Sequence, residues 1–180
     1  PEEERIKHTH ITLEKALRLE ELLLEFFDIT RFNLQDFVLE TQEMNLSLFL
    51  AQIADESYGM LSARGMTCAV DAEEDLMIQG DPDKLARVFD NLLRNAAAYG
   101  RENTQILIQA RGGRGRTTIV FTNEGEQIPQ KKLETIFERF YRVDEARSSQ
   151  TGGAGLGLAI AKQIVELHGG TITATSDILP

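Results

Sequence analysis

Tryptophan is absent from the 180 residues, cysteine occurs once and proline four times. The single thiol, Cys68, excludes a disulfide framework and a cysteine-built metal centre, and it suits a reducing compartment. Bases are in the minority, 19 Lys and Arg against 29 Asp and Glu. The resulting net charge of −10 argues against nucleic acid as a partner held through its phosphates. Long apolar runs are also missing. No stretch approaches the roughly eighteen residues that a membrane span needs, and no secretory leader opens the chain. It starts at Pro1 instead of Met, so the expectation is a piece of something longer. What is present, 42% hydrophobic residues, suffices for a sizeable core and excludes a disordered chain. The expectation is a soluble, acidic, intracellular chain of one domain, or of one domain plus a short appendage.

Residues 3–30 contain neither Pro nor Gly and consist of good helix formers. Their apolar positions make two stripes, Ile6, Leu13, Leu17, Leu24 and Phe27 on one, Leu19, Leu22, Phe26 and Ile29 on the other. A helix apolar on two sides belongs in a bundle, and its partners are expected from sequence outside this chain or from a second copy. After a break near residues 31–35 the texture changes. Residues 46–61 predict an amphipathic helix, 67–70 and 76–78 short strands. Asp81 then stands as N-cap, with Pro82 at the first position, for a helix reaching about Tyr99. Two β-rich runs, 106–110 and 117–122, flank the tract 111–116 and predict a hairpin. Residues 131–141 read as helical and 144–153 as a polar loop. Residues 156–167 read as a helix closed by Gly169, before a strand at 171–175. The fold class expected is an α/β two-layer sandwich, one mixed sheet covered by helices.

Four stretches carry chemistry. Gly152-Gly153-Ala154-Gly155-Leu156-Gly157-Leu158 runs straight into a helix. It reads as an anion site, where glycines admit close backbone approach and the helix start offers free N–H groups, or as a flexible hinge. It is not a P-loop, since Leu158 stands where Lys is required, and Leu158 and Ile160 break both Rossmann registers. Asn91 and Asn95, four apart, flank a buried stripe of Leu85, Phe89, Leu92 and Ala96. They read as oxygen donors for a hydrated Mg²⁺ or as two solvated amides. Asn123-Glu124-Gly125-Glu126-Gln127-Ile128-Pro129 follows a strand and reads as a pocket mouth or a plain turn. Ile136, Phe137 and Phe140 have core spacing, while Tyr141 and Arg142 are suited to stack on a base and clamp phosphate. His8 and His10 point apart on a helix and His168 precedes a helix cap, so all three are expected to be structural. The arginines of 111–116 are expected to mark a turn, and Cys68 a small core residue.

In this order, over residues 91–170, the four stretches resemble the ATP-binding domain of sensor histidine kinases, the GHKL or Bergerat fold. The resemblance implies that residues 1–33 are the second helix of a dimerisation and histidine-phosphotransfer hairpin, and that 36–180 are the catalytic domain. It also implies a Mg-ATP site in which Asn95 matches the metal-coordinating asparagine and Asn91 its neighbour on the phosphate side. Asn123 takes the place of an aspartate that binds the adenine amino group, and Gly125 that of the first glycine of its box. Tyr141 would lie against the base and Arg142 reach the phosphates. Residues 144–153 would form the ATP lid, with Gly153, Gly155 and Gly157 as its glycine hinge. Tyr99, Ile128, Leu156 and Leu158 complete the implied nucleotide contacts. The implied partners are a phosphoacceptor helix of the same protein, a response regulator and a second copy in the full-length protein. The fragment itself is expected to touch neither membrane nor nucleic acid, as the cytoplasmic part of a bacterial membrane sensor.

The chain also departs from the family pattern. Asn123 replaces the acid, Gln127 a glycine, and Ala98 a base that touches phosphate in many members. None of His8, His10 and His168 stands in a phosphoacceptor box of His, acid and Thr-Pro. Autophosphorylation of this chain alone is therefore not expected. A full strand normally follows a position like Thr175, and only five residues remain here. Two other readings stand beside the kinase: a different GHKL enzyme, serine-directed kinase or ATPase, and a degenerate nucleotide-binding regulatory module.

Overall fold

The computed structural model describes residues 38–141 and 155–177, with helical residues at 2, 4–13, 15, 16, 19 and 23. The chain divides into two compact units, Pro1–Val38 and Leu39–Pro180. In the first unit, the described members of the two apolar stripes, Ile6, Leu13 and Leu19, are helical and exposed. Leu17, Leu22, Leu24, Phe26, Phe27 and Ile29 lie outside the described residues.

The second unit opens with β1 (Gln42–Asn45), α1 (Leu46–Glu56), α2 (Tyr58–Ser62), β2 (Thr67–Ala72) and β3 (Met77–Gly80). It continues with α3 (Pro82–Tyr99), β4 (Gln105–Gly113), β5 (Arg116–Thr122) and α4 (Gly157–Leu167). Among the described residues the strands form two ladders instead of one sheet. β1 pairs antiparallel with β3, and β4 lies between a parallel β2 and an antiparallel β5. The sequence did not suggest β1, because Gln42-Glu43-Met44-Asn45 has little strand propensity; its partner β3 supplies the order.

The core lies between the helices and one face of the larger ladder. Ile106, Ile108 and Ala110 alternate inward along β4 and are fully buried. Phe89 of α3 stacks on Phe121 of β5 at 5.8 Å and meets Phe49 of α1 at 6.0 Å, so one ring ties two helices to the sheet. α3 buries Leu85, Val88, Phe89, Leu93, Ala96 and Ala97. Leu92, expected in that stripe, is only half-buried and borders the asparagine flank instead.

Other departures have local causes. The helix expected over 46–61 breaks at Ser57, whose buried hydroxyl donates to the Ile53 carbonyl at 2.8 Å. The hairpin loop shrinks to Arg114-Gly115, both with positive φ, the mirror-image turn that suits strand twist. Arg111 thereby becomes a strand residue. The helix expected at 131–141 is two short 3₁₀ turns, Gln130–Lys132 and Thr135–Phe137. Phe140, expected in the core, is exposed at positive φ because its N–H donates to the Gly155 carbonyl at 3.0 Å. Residues 171–177 alternate exposed and half-buried with period two, yet enter no ladder among the described residues.

Asp81, 5% exposed, joins several elements. Oδ1 accepts the Lys84 N–H at 3.1 Å as the cap of α3, and Oδ2 accepts the Glu40 N–H at 3.0 Å. Its own N–H donates to His168 Nε2 at 3.0 Å.

On the outer face, Arg111 Nη2 donates to both Asp71 carboxylate oxygens at 2.6 and 2.7 Å, and Gln109 donates to Oδ2 at 3.1 Å. These hydrogen bonds, chiefly from Arg111, hold the Asp71 carboxyl below the usual carboxylate range. A depressed folded-state value favours folding above the ordinary carboxylate range, and that contribution disappears as pH falls through the folded value. Urea midpoints of the protein and Asp71→Asn should therefore differ at pH 7, and the difference should shrink as pH falls below the ordinary carboxylate range. A separation that stays constant as the pH is lowered would rule out the linkage.

Candidate functional site

The motifs meet where α3 passes α4. α4 begins at Gly157, inside the glycine box, and a Cβ on Gly157 would stand 3.1 Å from Asn91 Oδ1. The missing side chain thus eases the close approach of the Asn91 carboxamide to the first turn of α4. The Asn91 Nδ2 atom is buried and has no hydrogen-bond partner among the described residues. An unpaired buried donor costs about 1–3 kcal/mol, so its natural complement is an acceptor such as a phosphate oxygen. The first N–H groups of α4 likewise have no acceptor within their own helix. Asn95 follows one turn along the same flank and is half-buried. Leu156 is buried and Leu158 half-buried at the start of α4.

The far end of α3 carries the second group. Gly100 caps the helix and bridges to Gly125, and the Arg101 N–H donates to the Glu124 carbonyl at 2.8 Å. A Cβ on Gly125 would stand 3.0 Å from the Tyr99 carbonyl oxygen, so this close approach needs glycine. Asn123 donates from Nδ2 to the Glu124 carbonyl at 3.2 Å, which leaves Oδ1 as the atom to accept from a ligand. Ile128 is held by its N–H, which donates to Ser176 Oγ at 2.9 Å, and Tyr99 is 40% exposed. Eight residues of helix, about 12 Å, separate Asn91 from Tyr99.

The third group is the closure of the glycine box. Gly155 sits at φ +74, and a Cβ there would be 2.9 Å from the Tyr141 carbonyl oxygen and 3.0 Å from the Phe140 carbonyl carbon. Together with the Phe140 N–H bond to Gly155, this draws residues 141 and 155 side by side. Arg142 and Gly153 lie outside the described residues. Among the described residues, no group of three or more His, Cys, Asp or Glu could hold a metal ion. A divalent cation here would take amide oxygens, water and ligand phosphates, the donor set Mg²⁺ prefers. Sequence reasoning missed Gly100, which no motif marks. It also missed the Asp81–His168 pair, which lies 87 residues apart in the chain.

Residues 80–178 match the model of the histidine kinase-, DNA gyrase B-, and HSP90-like ATPase family, and the chain belongs to that family. Within it, the stretches 80–89, 140–149 and 151–162 are similar to the VanS sensor kinases, and comparison over the whole chain agrees. The sensor protein VanS of Enterococcus faecium is 54% identical over 177 residues, 98% of this chain and 46% of the relative. VanSC of Enterococcus gallinarum is 41% identical over 172 residues, 96% of this chain and 47% of the relative. The chain therefore spans about half the length of these curated relatives. The mycobacterial sensor histidine kinase MprB superposes with a TM-score of 0.63 at 27% identity, over 76% of this chain and 84% of that one. The α/β class expected from the sequence, mixed strands covered by helices, is the fold of this family. Among the described residues no helix is long and apolar enough to cross a membrane.

Gly155→Ala should lower the unfolding free energy by about 1–2 kcal/mol, since alanine must take a left-handed conformation against the Tyr141 carbonyl. Gly113→Ala, which meets nothing within 4 Å, serves as the control and should stay within about 0.5 kcal/mol. Equal denaturation midpoints for the two variants would refute the tight closure.

Proposed function

We propose that this chain is the catalytic region of a two-component sensor histidine kinase that binds Mg-ATP. The observation that carries the reading is Asn91, whose Oδ1 side lies against Gly157 at the start of α4 and whose buried Nδ2 has no hydrogen-bond partner among the described residues, in a chain of this ATPase family. ATP phosphates would accept from Asn91 Nδ2 and from the N–H groups at Gly157 and Leu158. Asn95 would offer its amide oxygen to a hydrated Mg²⁺, whose charge neutralises the phosphates during transfer. At the other end of α3, Asn123 Oδ1 would accept from the adenine amino group, beside Gly125, Tyr99, Ile128 and Tyr141. The length of helix between the two groups suits an extended nucleoside triphosphate. Arg142 and Gly153 would act from the lid over residues 144–153.

The γ-phosphoryl group would pass to a histidine that this chain does not carry, and from there to a response-regulator aspartate. The protein supplies positioning and charge compensation, which dominate phosphoryl transfer. Residues 1–33 would be one helix of the dimerisation and phosphotransfer hairpin and 36–180 the catalytic domain, with homodimerisation in the longer, membrane-anchored protein. Likeness to VanS supports control of vancomycin-resistance genes as the output.

Titration with a non-hydrolysable ATP analogue should show Mg²⁺-dependent binding, weakened at least about tenfold (1.4 kcal/mol) in Asn95→Ala. Absence of binding by the parent chain would instead favour a degenerate regulatory module. Incubation with labelled ATP should leave His8, His10 and His168 unlabelled, and label on any of them would contradict the proposed division of labour.

A further inference from the structure

His168 closes α4, and its ring is held from two sides. Nδ1 lies 2.8 Å from the Ile164 carbonyl oxygen, so Nδ1 carries the proton and donates, and Nε2 is left to accept the Asp81 N–H at 3.0 Å. The ring also packs beside Gly80, where a Cβ would stand 3.7 Å from His168 Cδ2 and Nε2. Asp81 is the cap of α3 and His168 the cap of α4. From Asp81 to Asn91 is ten residues of α3, and from His168 back to Gly157 is eleven of α4. At 1.5 Å per residue these are nearly equal lengths, about 15 and 17 Å. The two helices thus run antiparallel, the ends of α4 linked to the start and the middle of α3 through His168 to Asp81 and Gly157 to Asn91. A packed helix pair transmits an axial shift with little give, so the first link sets where Asn91 comes to rest at the second.

We propose that His168 is a positioning residue for the nucleotide pocket: by accepting the Asp81 N–H it fixes the axial register of α3 against α4, and with it the Asn91 carboxamide over Gly157. The inference rests on the reading of that pocket as the Mg-ATP site. It also gives Asp81 a second task. The same residue holds the Glu40 N–H, at the start of the second unit, so the backbone entering this unit is fastened to the element that sets the pocket's register.

The test uses the 180-residue chain with three changes. His168→Phe keeps a ring and removes the acceptor, His168→Leu removes both, and His168→Gln restores an acceptor oxygen. Two readouts are taken: affinity for the Mg²⁺-bound non-hydrolysable ATP analogue, and the NMR position of the Asn91 side-chain amide without nucleotide. Phe and Leu should weaken binding about tenfold and displace the Asn91 signal, and Gln should return both to within about threefold of the parent. Phe or Leu folding with parental affinity and an unmoved Asn91 signal overturns the proposal. If both fail to fold while Gln folds, the bond serves the fold and the positioning role is rejected. A parent chain that binds no analogue defeats the pocket reading alone, because the Asn91 signal still reports whether His168 sets the register.

Discussion

The antiparallel contact of α3 and α4 is the constraint on which the other features of the site depend. Its close approach at Asn91 is favoured by the missing side chain at position 157, and among the described residues it leaves a buried amide donor on Asn91 without a partner. Such a donor destabilises the ligand-free fold, so the rest of the domain must hold the two helices in place regardless. It does so through a continuous core. The Phe49–Phe89–Phe121 rings and the inward face of β4 fix α3 to the sheet, and the buried Ile160 and Ile164 fix α4. A site that is strained in isolation and supported by packing elsewhere is the pattern expected of a preorganised binding pocket.

The second half of the site follows from the same helix. Because α3 ends in Gly100 and bridges there to Gly125, the turn carrying Asn123 is positioned by the helix that carries Asn91 and Asn95. One rigid element therefore sets the spacing between the two ends, and the Gly155 closure brings Tyr141 to the glycine box. On the proposed reading, this economy would let a small domain with short strands order a ligand as long as a nucleoside triphosphate. It also explains why the hydrogen bonds at the Asp81 cap bear on more than the stability of one helix.

Much of this is legible in the amino-acid sequence. The Asp81-Pro82 start, the stripe of α3, the glycine box opening a helix and the Gly169 stop are local signals, decided by capping, periodicity and backbone freedom within a few residues. The elements that went astray are those in which a distant partner outweighed local preference. Residues 131–141 have helical spacing, but the Phe140 amide is taken by Gly155. Residues 42–45 lack strand propensity, but β3 pairs with them. The arginines of 111–116 look like a loop, but Asp71 on β2 draws Arg111 into the ladder.

For function the division is similar. Residue types and their order were enough to place the chain among the ATPases of the histidine kinase type, because four separate motifs constrain one another in a linear pattern. Which atoms meet was settled by the tertiary structure. That Asn91 and not merely an asparagine pair faces Gly157, that Asn123 has Oδ1 left to accept, and that His168 is tied to the start of α3 all depend on helix packing and register. Local sequence encodes the turn, the cap and the face of each element. Register between elements arises only when their side chains compete for the same buried space, and that competition involves residues tens of positions apart.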